Sequence, residues 1–354
     1  MAGLRLAIVG DASSINVRRW AQSLTGAGAE VHVISYEAAL PIDAPIVDHR
    51  LTAMSVGSRV RYVRGIPAVR RLLREIDPDV VCGYYASGYG MLAAYSAGKR
   101  PVVQVCVGSD VVPEPARPIA QRLTGIHLRR ADLVLAWSPH LIDAAVVLGA
   151  RPERCLVQPR GIPVDTFLAH RPAQLPPFPL KVVTTRTLRP EMRVDGTIDA
   201  FIAAAIPGAT LTIAGDGPLR AELEARAAPA GDAIRFLGTV ANDDLPGLLA
   251  EHHVYASTKP VDGVSASLME VMVVGCYPIV VDNGANAPWL SDPDTGRLLP
   301  MDVDAFAAAL RDAAAHPERF EPARDANLAM VRDRADQAVN ARRILDRFAE
   351  LRRG

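Results

Sequence analysis

The sequence predicts an α/β protein built from two doubly wound domains, and three observations carry that expectation. The chain has 354 residues, enough for about two domains of ~100–200 residues each. Its apolar residues fall in short runs rich in Val, Ile and Leu, each followed by a longer stretch of helical period, and that alternation implies parallel sheets. The run RPAQLPPFPL at 171–180 carries four prolines, which remove backbone donors and fix φ as linkers do. We therefore divide the chain into 1–170 and 171–335, with a closing helix at about 336–354 that returns to the first domain.

In the first half LRLAIVG, VHVIS, VVCGY, PVVQVCV, LVLAWS and CLVQP read as strands separated by helical text. The second half restarts with KVVTTR and continues through LTIAGDG, IRFLGTV, HVYAST, YPIVVDN and GRLLP, with helices such as VDGTIDAFIAA and PLRAELEARAA between them. The tail DQAVNARRILDRFAELRR has a broad apolar face and needs a surface to pack on. Two such domains facing a cleft place their ligand at the carboxyl ends of the strands, where the strand order reverses.

Composition narrows the function. Lys plus Arg and Asp plus Glu both number 39, so no basic excess marks a nucleic-acid binder. No apolar run reaches the ~18 residues of a membrane span, and the chain reads as soluble and cytoplasmic. Cys82, Cys106, Cys155 and Cys276 are scattered without metal-ligand spacing, so no metal or cofactor is expected. Residues 1–170 hold 19 Lys/Arg against 14 Asp/Glu, and 171–354 hold 20 against 25. The basic surplus clusters at Arg59, Arg61, Arg64, Arg70, Arg71 and Arg74, either a solvated helix face or a weak attraction to an anionic membrane.

Candidate site residues lie just past predicted strands. Gly10–Trp20 is a small-residue turn into a helix, where Ser14 and free amides suit an anion; it lacks the GxGxxG spacing of dinucleotide enzymes. Asp110, after Val107-Gly108-Ser109, is placed to meet a substrate hydroxyl, or else caps a turn. His127, His140 and His170 have no partner in sequence and read as core or solvated. Arg186, Arg189 and Arg193 follow the first strand of the second half, with the planar fork that suits phosphate. Gly215 sits in a turn, and Val240 ends a strand where a flat base meets main-chain groups.

The strongest segment is DGVSASLMEVMVVGCYP, residues 262–278. Asp262 and Gly263, Val264 and Ser265 form a loop, a helix starts near Ala266 or Ser267, Glu270 lies a turn in, and Gly275 ends the helix. Free N–H groups at that helix start suit a diphosphate. Glu270 offers two acceptor oxygens to ribose hydroxyls and Asp262 to sugar hydroxyls; the plainer alternative is a turn residue and a surface helix position.

These segments together resemble retaining glycosyltransferases of family 4, which have the GT-B fold. The resemblance rests on KVVTTRTLRPEMRVDGTIDAF, LTIAGDGPLR, IRFLGTVANDDLPGLLAEHHVYAST and DGVSASLMEVMVVGCYPIVVDNGANAPWL, with INVRRWAQSLTGAGAEVHVIS and VGSD in the first half. It implies a nucleotide diphosphate sugar donor, UDP-linked by preference, and a hydroxyl acceptor on a glycan, glycolipid or small metabolite. Glu270 would hold the ribose, Asp262 the donor sugar, Arg186 the diphosphate, and the amides from Gly263 to Ser267 the phosphates. Three positions depart from the family: Asp262 stands for the usual Glu, Glu191-Met192-Arg193 for the diphosphate-binding Lys, and Val107 for the His before Gly-Ser-Asp. The lost Lys contact would pass to Arg189 or Arg193. A GT-B epimerase, or a nucleotide-sugar binder without turnover, shares the same architecture.

Overall fold

The computed structural model describes residues 3–52, 60–112, 118–261, 265–290 and 292–353. It divides into two compact units, Met1–Arg160 with Gln337–Gly354, and Gly161–Asp336.

The first unit is a seven-stranded parallel sheet of β1 (Arg5–Val9), β2 (Glu30–Ser35), β3 (Ile46–Arg50), β4 (Val80–Tyr84), β5 (Val102–Cys106), β6 (Leu133–Ala136) and β7 (Cys155–Val157). Its order is β3-β2-β1-β4-β5-β6-β7, so the chain reverses direction across the sheet between β1 and β4. Helices α1 (Ile15–Gly26), α2 (Val60–Arg64), α3 (Ile66–Ile76), α4 (Gly88–Ser96), α5 (Pro118–Arg130) and α6 (Pro139–Leu148) make the crossovers, except that a loop alone joins the parallel β2 and β3. A parallel sheet covered on both faces needs unbroken apolar strands, and β4, β5 and β6 are buried at every residue. The exception is β3, which the apolar-run pattern does not mark. It is a half-exposed edge strand whose polar residues are held from within, Asp48 by Arg18 at 2.5 Å and His49 by His32 at 2.9 Å.

The second unit has six parallel strands, β8 (Lys181–Thr184), β9 (Thr210–Ala214), β10 (Ile234–Gly238), β11 (Val254–Ser257), β12 (Tyr277–Val281) and β13 (Arg297–Leu299), in the order β10-β9-β8-β11-β12-β13. The reversal here falls between β8 and β11. Its helices are α7 (Val164–Leu168), α8 (Val194–Ala204), α9 (Arg220–Ala227), α10 (Leu245–Ala250), α11 (Ala266–Val274), α12 (Val303–Ala315) and α13 (Phe320–Ala335). One face of the sheet packs Ile198, Leu211, Phe306 and Phe320; the other packs Val183, Met272, Val273 and Val331. Gly275 closes α11 at φ 108°, the left-handed position that glycine takes without steric cost.

The division falls at 160/161, ahead of the 170/171 seam that composition marks. Ile162, Val164 and Phe167 are buried in the α11 face of the second unit. The proline run is tied there as well, with Arg171 donating to the carbonyls of Arg324 (3.0 Å) and Val273 (3.4 Å) and His253 bonding the Pro176 carbonyl at 2.8 Å. Buried hydrogen bonds fix a proline-rich segment that composition alone reads as a spacer.

The closing helix, α14 (Gln337–Arg353), belongs to the first unit and packs on α1. Ala341, Ile344 and Phe348 are fully buried, Asn340 donates to the Pro159 carbonyl at 3.0 Å, and Arg352 pairs with Asp79 at 3.1 Å.

Candidate active site

In the second unit the candidate residues gather at the β8/β11 reversal, the position where open parallel sheets leave a crevice. Arg186 follows β8, is half-buried, and donates its Nε to the Ser257 hydroxyl at the end of β11, 3.1 Å away. Its backbone is fixed from the neighbouring strand. The loop beyond β9 lies so close that a Cβ on Gly215 would fall 2.0 Å from the Arg186 carbonyl oxygen, and one on Gly217 2.4 Å from that of Leu188. The Leu188 N–H donates to the Asp216 carbonyl (3.0 Å), and the Leu188 carbonyl accepts from the Leu219 N–H (3.1 Å). Gly215 is therefore a packing position that sets the Arg186 loop.

The loop after β11 leads into α11, whose first turn presents N–H groups without intrahelical partners. Ser265 occupies the N-cap without capping that turn. Its hydroxyl is buried with no hydrogen-bond partner among the described residues, and the residue is 1% exposed. A buried unsatisfied hydroxyl at a helix start costs free energy that a ligand acceptor recovers. Ala266, Ser267 and Glu270 are half-buried along the first turns of α11. Asp262, Gly263 and Val264 lie outside the described residues.

The other two arginines separate. Arg189 is exposed, and its side chain makes no hydrogen bond or ion pair among the described residues. Arg193, held at φ 51°, is gripped by the Asp195 carboxylate through Nε at 3.1 Å and Nη2 at 3.1 Å. Its carbonyl accepts from the Thr258 hydroxyl, so it clamps the start of α8 to the end of β11. Val240 follows the sheet-edge strand β10, two strands away from β8.

In the first unit, Ser14 is the N-cap of α1 beside the β1/β4 reversal and makes no side-chain cap. Asp110 makes the turn contacts of its second expected role. It is 5% exposed, one oxygen accepts from the N–H groups of Gly108 (2.8 Å) and Val107 (3.1 Å), and the other accepts from the Ala86 N–H (2.8 Å). Burial pushes its carboxyl above the ordinary range against the pull of those three donors. The carboxylate thus joins the ends of β4 and β5, with both oxygens accepting from backbone N–H groups. Its Ala86 partner follows Tyr85, a non-glycine residue at φ 81°, a conformation costing about 1–3 kcal/mol that the Tyr85 N–H bond to the Val105 carbonyl (3.1 Å) and the Gly90 N–H bond to the Tyr85 carbonyl (3.0 Å) help to enforce. The Tyr85 phenol meets the Ser109 hydroxyl at 2.6 Å.

Tyr85, Ser257 and the buried Arg160, whose charge acts on Tyr84, carry no sequence signal, because each acquires its place only when strand ends are brought together. Lys259, just past β11, and Asn283, which donates to the Lys259 carbonyl at 3.1 Å, are further members of the β11–β12 rim. His127 is a core histidine, edge-on to Tyr95 at 5.4 Å, and burial drives its pKa down to about 4. His140 meets the Ser138 hydroxyl and His170 the Thr166 carbonyl, each at 3.1 Å. The four cysteines are free; burial raises the Cys82, Cys106 and Cys276 thiols, the last to about 12. Among the described residues no group of three His, Cys, Asp or Glu is arranged for a metal, and no helix is long and apolar enough to cross a membrane.

Two parallel Rossmann-like sheets, with an arginine and a helix start at the second reversal, define a GT-B glycosyltransferase architecture. Residues 5–138 match the family model described as glycosyl transferase 4-like, and 179–316 match glycosyl transferases group 1. The chain belongs to the GT-B glycosyltransferases of the family 4 type. It is 31% identical over 170 residues to the Mycobacterium tuberculosis GDP-mannose-dependent alpha-(1-6)-phosphatidylinositol dimannoside mannosyltransferase, a match spanning 46% of this chain and 44% of that protein. It is 26% identical to the Pseudomonas aeruginosa D-rhamnosyltransferase WbpZ, over 72% of this chain and 69% of that one. Among solved structures it is similar to Anabaena Alr3699/HepE in complex with UDP, with a TM-score of 0.80, 17% identity, and coverage of 98% and 100% of the two chains.

Proposed function

We propose that this chain transfers a sugar from a nucleoside diphosphate sugar to an acceptor hydroxyl, with retention at the anomeric carbon and without a metal. The observation that carries the reading is the start of α11, where the buried Ser265 hydroxyl has no hydrogen-bond partner among the described residues, on the same β8/β11 reversal as Arg186. As the glycosidic C–O bond breaks, negative charge develops on the departing diphosphate. A guanidinium and fixed N–H dipoles aimed at that charge stabilise the transition state without reorganising. Arg186 takes the diphosphate, Arg189 the role of a second cation, and the amides from Gly263 to Ser267 the phosphate oxygens. Glu270 accepts the ribose hydroxyls and Asp262 those of the donor sugar. The acceptor oxygen forms the new bond to the anomeric carbon and its proton passes to the leaving phosphate, so no side-chain base is needed.

The family resemblance favours a uridine donor, and the name of the mycobacterial relative points to guanosine. Thermal melting of the full chain with UDP, GDP and ADP and their sugars separates these. A ligand that binds only the folded state adds about 2.7 kcal/mol at a hundredfold excess over its dissociation constant. One nucleotide, with its shift enlarged by one sugar, is the expected result. A folded sample that none of them stabilises overturns the reading.

A further inference from the structure

The arginine cluster singled out in the sequence has a different meaning once the helices are packed. Arg59 lies outside the described residues. Arg61 turns inward: its guanidinium pairs with Glu37 at 3.1 Å and stacks over Tyr62 at 4.8 Å. The arginines that remain are joined by others from α5, which carries no acidic residue from 121 to 130. Helices α3, α4 and α5 lie side by side, and Tyr95 of α4 bridges the two sets. Its carbonyl accepts from Arg70 Nε at 3.2 Å and NH2 at 2.9 Å, and Arg130 lies over its ring at 5.4 Å. One surface therefore carries Arg64, Arg70, Arg71, Arg74, Arg122, Arg129 and Arg130, all exposed, against Glu75 alone among the described residues of α2, α3 and α5.

Exposed apolar side chains sit within this field. Val60 and Val63 of α2 are 50% and 56% exposed, and Leu123 and Ile126, one turn apart on α5, are 49% and 38% exposed. Arginine beside exposed aliphatic residues on helix surfaces is the chemistry of a membrane interface, where the aliphatic groups enter the headgroup boundary and the guanidinium groups meet lipid phosphates. A nucleic acid would call for aromatic stacking platforms, and the aromatic residues here, Tyr62 and Tyr95, are each covered by an arginine. We infer that the α2–α3–α5 face of the first unit docks on an anionic phospholipid surface. The inference is independent of which donor the second unit takes.

The test is co-sedimentation of the full chain with vesicles of mixed phosphatidylcholine and phosphatidylglycerol, and with vesicles of phosphatidylcholine alone, at low and at physiological salt. Binding to the mixed vesicles that weakens with salt is expected. Arg64, Arg74 and Arg122 make no ion pair among the described residues, so replacing all three with Gln leaves the fold intact, as its melting curve should confirm. At about fivefold per arginine, partitioning of that variant should fall on the order of 100-fold. Leu123→Ser with Ile126→Ser should weaken binding while keeping the salt dependence. No sedimentation with the mixed vesicles overturns the inference, as does equal binding to neutral ones or an unchanged triple variant. Retention on heparin without vesicle binding reassigns the face to a soluble polyanion.

Discussion

Gly215 and Arg186 are in backbone contact: a single added Cβ on the glycine would stand 2.0 Å from the arginine's carbonyl oxygen. A contact that short moves the backbone and cannot be relieved by a side-chain rotation. Gly215→Ala should therefore displace the Arg186 loop and lower turnover. A turnover close to that of the unsubstituted chain, measured once the donor is known, would show that the loop is not set by this contact.

Arg186→Ala removes the proposed diphosphate contact directly. Loss of one such electrostatic stabiliser costs about 10²–10³ in kcat, with a smaller change in acceptor KM. Steady-state kinetics decide it, and a change confined to KM would place Arg186 in ground-state binding only.

Glu270→Ala should weaken nucleotide binding by roughly 1.5–3 kcal/mol, the worth of hydrogen bonds to a charged group. Calorimetric titration with the stabilising nucleoside diphosphate reads this without any acceptor. Unchanged affinity removes Glu270 from the ribose.

Asp110→Asn replaces a carboxylate that accepts from three backbone N–H groups with an amide that has one acceptor oxygen. Stability should drop by about 1–3 kcal/mol in urea unfolding. Because both oxygens face the backbone, the pH profile of kcat should keep its shape. A lost acidic or basic limb would restore Asp110 as a proton carrier.

His127 is neutral in its core position, with burial and the nearby Arg130 holding its pKa at about 4, below the ordinary 6.5. The unfolded chain then binds the proton more readily, so stability should fall as pH drops from about 6.5 to about 4 and level off below. Denaturant unfolding across that window should show the slope in the native chain and its reduction in His127→Phe. Equal slopes would mean that other groups carry the acid sensitivity.

The alternation of apolar runs with helical stretches was enough to place both sheets, because strands buried on two faces must be apolar throughout. It passed over β3, whose polar residues at a sheet edge are satisfied by Arg18 and His32 from elsewhere in the chain. Arg186, Ser265 and Glu270 were legible as a local motif, since a strand end and a helix start are each written in a few consecutive residues. The partners of the charged groups were not: Arg193 closes on Asp195 and Arg61 on Glu37, pairings that no local pattern marks. The two-sheet architecture, the family and the residues at the strand ends are written in local pattern. The backbone bonds of Asp110, the contact of Gly215 with Arg186 and the sharing of Tyr95 by arginines of α3 and α5 are not, because each depends on strands and helices distant in sequence coming within hydrogen-bond or van der Waals reach.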